Sequence, residues 1–379
     1  MTEEPGTCAT VRPPAQRMSP IRSRPLRVLA LTKYGDRAAS VRQRFRQFSD
    51  YLAHDGFELD ISPLLDNSYL DATFSGQKPS ILQLVASFSN RILTLVGQNR
   101  ADVLWIQKEL FPYLPGFLER AVLAGSVPVV VDYDDAIFHQ YDQHRSPLVR
   151  KLLGRKLEPL LRRADLVICG NAYLQSYAAQ FCDHVAVIPT VLDSTVYAPG
   201  RSPKPGHLTT VGWIGSPSTW KYVEPLLPVL RRVAEDLRLR IRVIGAGPNA
   251  ARLPRFEFLH WSEATEIEMI RGMDIGIMPL PDEPWARGKC GYKLIQYMAC
   301  GLPVVASPVG VNTELVDHGV NGFLARTDAE WLTAIQALAS DVDLRRTMGL
   351  QGRAKVERAY SVQVHGPRLT GMFRRIVSP

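Results

Sequence analysis

The chain has little from which to build a covalent or metal framework. Its 379 residues include five cysteines, at Cys8, Cys169, Cys182, Cys290 and Cys300, with no CxxC pair and no His/Cys cluster at zinc spacing. So dispersed and odd a set argues against a disulfide scaffold or structural zinc and fits a reduced, cytosolic chain. No apolar run approaches the roughly 18 residues that a membrane-spanning helix needs. No internal repeat or low-complexity tract appears, although 27 Gly and 28 Pro supply ample loop material. The first 25 residues lack the apolar centre of a secretory signal and are expected to form a disordered leader. Acids are in deficit: 37 Asp and Glu face 45 Lys and Arg, for a net charge of +8. That balance favours phosphate-bearing partners. No nucleic-acid recognition module or aromatic-basic signature accompanies it, so nucleic acid is not expected as a partner.

What is present is alternation. Buried-type apolar runs at 26–32, 57–62, 101–106, 127–131, 165–168 and 185–188 are separated by helical stretches, among them 41–54 and 80–98. Strands alternating with helices imply a parallel sheet covered on both faces. A break rich in Pro, Gly and basic residues reads as a linker at 200–208. The series restarts with strands at 209–214, 240–244, 256–259, 275–278 and 303–306 and helices at 223–237, 291–300 and from 328. The expected organisation is two doubly wound α/β domains, 26–199 and 209–358, with a final helix over 359–379. Ligands of such sheets sit at the carboxyl ends of strands, and two facing sheets create a cleft.

Three segments can carry chemistry. In Arg287–Ser307 a glycine loop holding Arg287, Lys289 and Lys293 leads directly into a helix at Gly291. Free N–H groups at a helix start form an anion site, and three cations so close suit a diphosphate. In Val211–Tyr222 a strand ends at Gly215 and Ser216, with Lys221 at the following helix; the alternative is plain helix capping by the hydroxyls. In Val129–His139 a cluster of acids, Asp132, Asp134 and Asp135, follows a buried strand. Their mutual repulsion must be offset by something. A metal-binding role and simple loop shaping are two readings of the cluster, with Asp135 capping the next turn.

The 287–307 segment resembles the signature of GT-B glycosyltransferases of family 4, E-x-F-G-x4-E-A-M-A-C-G-x-P-V-V-A, with Gly291 on the glycine and Met298–Ala306 matching almost throughout. Val309–Leu324 and Val187–Pro199 resemble further stretches of the same proteins. The resemblance implies a GT-B fold: two Rossmann-like domains facing across a cleft, the second binding a nucleotide-diphosphate sugar and the first a glycan or lipid-linked acceptor. It implies retaining transfer of the sugar with no metal or other cofactor. Asp134, Lys221 and Lys293 are then the catalytic candidates, the resemblance implying a third reading of the acid cluster, a substrate contact at Asp134. Gly35, Gly215, Ser216, Trp261, Arg287, Lys289, Gly291 and Gln296 are the donor-binding candidates, Trp261 beside the nucleobase and Gly35 near the phosphate. Gly245 to Pro248 reads as a tight turn. Ser40 is expected to cap the helix after Gly35, and Arg37, Arg42 and Arg44 face either cleft or solvent.

The chain departs from that signature at both glutamates. Gly288 stands where the family touches the donor sugar, so Asp282 or Glu283 must substitute. Gln296 stands where it holds the ribose, and an amide can still pair with vicinal hydroxyls. These losses keep alive a non-catalytic, transferase-like scaffold subunit, and the shared architecture keeps alive a sugar-nucleotide epimerase. A nicotinamide dehydrogenase does not fit, because no G-x-G-x-x-G follows the first strand. Finally, 145–163 combines many basic residues with leucines near helical spacing. It reads as an amphipathic helix for peripheral membrane contact or as the core face of a domain helix.

Overall fold

The computed structural model describes residues 24–378, apart from 67–68, 70–79, 97–99, 124, 201–207, 248–249 and 251–252. Most of the expected leader and linker, and Pro248, lie outside the described residues. Two six-stranded sheets form, and every pair of neighbouring strands is parallel. The first contains β1 (Leu26–Tyr34), β2 (Phe57–Leu65), β3 (Val103–Gln107), β4 (Val129–Tyr133), β5 (Leu166–Cys169) and β6 (Val185–Val187), in the order β2-β1-β3-β4-β5-β6. The second contains β7 (Thr210–Ile214), β8 (Arg240–Ile244), β9 (Phe256–Leu259), β10 (Ile275–Met278), β11 (Val304–Ala306) and β12 (Gly322–Leu324), in the order β12-β11-β10-β7-β8-β9. Central strands such as β4 and β7 are buried along their whole length, as continuous apolar runs between two helical layers require. Strand β12, three residues long, carries no period from which sequence could reveal it.

The strand orders locate the site. In the second sheet the chain reverses direction between β7 and β10, and in the first between β1 and β3. Such switch points leave a crevice at the carboxyl ends of the strands. Helix Val362–Val377 closes the molecule by packing on the first sheet. Its Phe373 ring meets Trp105 edge-on at 5.1 Å and Phe57 at 6.2 Å, and Val362 donates to the Leu192 carbonyl at 2.9 Å.

Two helices differ from expectation. The 41–54 stretch breaks into Ala39–Arg44, a 3-10 turn at Arg46–Phe48 and Ser49–His54, because Phe45 leaves helical geometry at ψ −64° with φ −126°. Its N-cap is Ala38, with no side-chain bond, rather than Ser40. The 145–163 segment is two short helices, Pro147–Leu153 and Glu158–Arg163, each opened by a proline in its first turn. Leu153, Leu157, Leu160 and Leu161 are core residues, and Lys156 is buried between Glu109 (3.0 Å) and Glu119. Only Leu148 and Leu152 of its stripe are exposed, at 64% and 66%. Among the described residues no helix is long and apolar enough to cross a membrane.

Candidate functional site

The loops after β4, β3 and β10 meet at one cluster of charge. Lys108 follows β3 directly and adopts a left-handed backbone (φ 64°), a strained state for lysine that turns its ammonium onto the acids after β4. It lies 2.7 Å from Asp134 and 3.3 Å from Asp135. Across the cleft, Lys289 reaches Asp135 at 2.9 Å. Asp132 is taken by Arg44 at 2.9 Å, both side chains only 1% exposed, and that guanidinium also donates to the carbonyls of Ile188 (2.7 Å) and Pro189 (2.9 Å). The mutual repulsion of the three acids is therefore balanced by three cations. Burial pushes the Asp135 carboxyl up, but Lys289 and Lys108 outweigh it and bring it down to about 2. Asp135 is an ion bridge between the domains instead of a side-chain cap, and Arg44 belongs to the core, facing neither cleft nor solvent.

A second cluster differs in kind. Gly291 caps helix Tyr292–Ala299 at φ +66°, a left-handed turn that glycine adopts without strain. Lys293, in the first turn, holds its ammonium 5.8 Å from the centre of the Trp213 ring at the end of β7. Among the described residues it forms no ion pair with a carboxylate, and Asp135 acts on it only through its field. Burial, and then the neighbouring Lys289, pull it down to about 8. A cation kept in such surroundings gains from an arriving anion, and the free N–H groups of the helix start lie beside it.

The remaining candidates fall around these clusters. Gly215 ends β7 and donates to the Ile244 carbonyl at 3.0 Å. Ser216 is drawn into capping the helix Pro217–Trp220: its amide donates to Thr219 Oγ1 at 3.0 Å, and its hydroxyl meets that of Ser218 at 3.0 Å. Lys221 is exposed and lines a cavity with Tyr222, Pro281, Glu283, Arg326 and Trp331. Arg287 is also exposed, and it pairs with Asp282 at 2.8 Å instead of joining Lys289 and Lys293. Gly35 lies in the turn after β1, where its carbonyl accepts from Ala38 N at 3.0 Å. Trp261 faces the cleft, and Arg42 of the first domain covers its ring at 5.4 Å while pairing with Glu263 at 3.3 Å. Gln296 is 3% exposed and donates to Glu266 at 2.7 Å.

The departure at Gly288 has a steric cause. A side chain there would collide with Ala136 of the facing domain. Asn171, also of the first domain, donates to the carbonyls of Gly288 (3.1 Å) and Lys289 (3.0 Å) while its oxygen caps helix Ala172–Ala178. The domains are thus closed onto the backbone at this point. Sequence reading missed Lys108, Asn171 and Glu266. The signal for Lys108 was its place immediately beyond a buried strand; the other two depend on contacts that only the fold creates. Among the described residues no group of three or more His, Cys, Asp or Glu is arranged to hold a metal ion.

Comparison with known proteins agrees with this architecture. Residues 208–341 match the family model for glycosyl transferases group 1. A D-inositol 3-phosphate glycosyltransferase from Corynebacterium kroppenstedtii is 27% identical over 198 residues, covering 44% of this chain and 43% of that protein. A GDP-mannose-dependent phosphatidylinositol monomannoside mannosyltransferase from Corynebacterium glutamicum is 27% identical over 148 residues, covering 38% and 35%. The chain thus aligns with about half or less of the length of these curated relatives. Among solved structures, sucrose-phosphate synthase from Thermosynechococcus elongatus superposes with a TM-score of 0.70 at 15% identity, over 93% of this chain and 99% of that one. The Anabaena protein HepE, in complex with UDP-glucose, gives 0.67 at 17% identity, over 92% and 100%. The fold is GT-B. Within it, the second domain is similar to the group 1 glycosyltransferases.

Proposed function

We propose that the protein is a glycosyltransferase that moves a sugar from a nucleotide-diphosphate donor to a glycan or lipid-linked acceptor, with retained configuration and without a metal. The carrying observation is Lys293: a half-buried ammonium that, among the described residues, is paired with no acid, at a helix start beside the β7/β10 switch point. Cleavage of the sugar–phosphate bond builds negative charge on the departing diphosphate. Lys293, the helix N–H groups and Lys289 are the groups that would stabilise it. With its charge neutralised, the departing phosphate oxygen can take the acceptor's proton on the face it leaves. Asp134, fixed by Lys108 at the opposite wall, would meet the donor sugar or the acceptor hydroxyl. Trp261, Gln296, Gly215 and Gly291 line the donor side. The geometry gives Ser216 a capping role and Arg287 and Lys221 a peripheral one, so they contribute less than Lys289 and Lys293.

The test is turnover of UDP- and GDP-sugars with and without acceptor glycans or glycolipids. Transfer only with acceptor, lost in Lys293→Met, supports the reading. Donor turnover without acceptor would favour the epimerase, and absence of nucleotide binding would favour the scaffold. A lipid-linked acceptor would place the work at the cytoplasmic membrane face, where exposed Leu148 and Leu152 beside Arg145, Arg150 and Lys151 offer a small peripheral contact.

A further inference from the structure

Glu266 opens the short helix Glu266–Arg271 after β9 and collects three donors on one carboxylate. Its Oε1 accepts from Gln296 Nε2 at 2.7 Å and from Tyr197 OH at 2.5 Å, and its Oε2 accepts from Trp261 Nε1 at 2.5 Å. The amide of Gln296 is also 3.3 Å from Tyr197 OH. The three partners come from different parts of the chain: the segment after β6, the loop after β9 and the helix Tyr292–Ala299. One side of the cleft is therefore organised around a single acid.

The arrangement explains an oddity of sequence. A glutamate at 296 would set two carboxylates about a hydrogen bond apart, a repulsion that forces one to protonate. With glutamine there, the Nε2 donor is spent on Glu266, and the carbonyl oxygen, to which no group among the described residues donates, is left as an acceptor for hydroxyl groups. The pair Glu266 and Gln296 presents one negative charge and one directed acceptor. Trp261, held by the same carboxylate, has its ring face turned to Arg42 across the cleft.

We propose that Glu266 is the positioning residue through which this chain selects a ribose-containing nucleotide: it orients the Gln296 carbonyl toward the vicinal hydroxyls and fixes Trp261 beside the base. The inference rests on the donor reading given above. A site built around hydroxyl hydrogen bonds rejects an analogue lacking the hydroxyl, because its polar groups are then left unpaired.

The experiment measures dissociation constants for UDP and GDP, their 2′-deoxy and 3′-deoxy forms, and inorganic pyrophosphate. It uses the full chain and the variants Glu266→Gln, Gln296→Glu and the exchanged pair Glu266→Gln/Gln296→Glu. The expected result for the wild type is about a tenfold or larger preference for ribose over at least one deoxy form. In Glu266→Gln that preference should shrink to about twofold while pyrophosphate affinity is unchanged. Gln296→Glu alone should also lose it, and the exchanged pair should regain most of it. A merely structural acid would weaken all ligands alike, with no rescue by exchange. Retention of the ribose preference in Glu266→Gln would overturn the inference and leave the donor reading standing. Failure of the wild type to bind UDP or GDP would overturn both.

Discussion

Two groups of charge face each other across this molecule, and they are built on opposite principles. At the end of β4 and just beyond it, three aspartates are each matched with a cation, Asp132 to Arg44, Asp134 to Lys108, and Asp135 to both Lys108 and Lys289. At the start of helix Tyr292–Ala299, Lys293 has an aromatic face and, among the described residues, no paired acid. A fully paired cluster is a finished structure: it fixes the loops after β3 and β4 and ties the second domain to the first. An unpaired, half-buried cation is an incomplete one, costly until an anion arrives. The contrast assigns construction to the first cluster and ligand capture to the second, with Lys289 as the one residue shared by both.

The sharpest break of this contrast comes from unpairing the finished cluster. Arg44→Met strands the Asp132 carboxylate in the core and should cost about 3–5 kcal/mol of stability in denaturant unfolding. Arg44→Met with Asp132→Leu should recover much of that loss. Lys293→Met should behave in the reverse sense. Removing a cation that burial disfavours should raise the melting temperature, while calorimetric titration with UDP or GDP shows affinity lower by roughly 2–3 kcal/mol for the lost charged hydrogen bond. Restoring the family's acid by Gly288→Glu should not improve activity. The side chain has no room beside Ala136, so the domains must part, at a cost of about 1–3 kcal/mol visible in chemical denaturation. The smallest effect belongs to the surface. Leu148→Ser with Leu152→Ser should change stability by no more than about 0.5 kcal/mol. Any binding to vesicles of anionic lipid that depends on this edge should nevertheless disappear in a flotation assay.

Much of the fold was legible because parallel strands buried on both faces leave continuous apolar runs. The runs at 127–131 and 209–214 fall within two residues of the observed Val129–Tyr133 and Thr210–Ile214, and the glycine loop marks the Gly291 start of the helix that carries Lys293. What failed to show was decided by tertiary contact. The leucine spacing of 145–163 is that of a single helix, yet Pro147, Gly154 and Pro159 divide it, and the core claims most of its stripe. Arg287, two positions before Lys289, is carried away by the turn at Gly288 and taken by Asp282. Glu266 gave no signal at all, since its importance lies in three donors that sequence leaves far apart. The acid cluster could be recognised as needing compensation, but nothing short of the fold could name Lys108, Lys289 and Arg44 as the groups that supply it.

The central claim, that Lys293 holds the donor's diphosphate, is tested most directly by titrating the protein with UDP and GDP between pH 6.5 and 9.5. Lys293 is lowered to about 8 in the free protein, so its charge is present below that pH and lost above it. Binding of the anion favours the protonated form. Affinity should therefore be flat at low pH, fall by up to about tenfold per unit above pH 8, and be accompanied by proton uptake on the falling limb. In Lys293→Met the affinity should be weaker and the fall near pH 8 absent. A wild-type affinity independent of pH through this range, or an equal fall in Lys293→Met, would contradict the assignment.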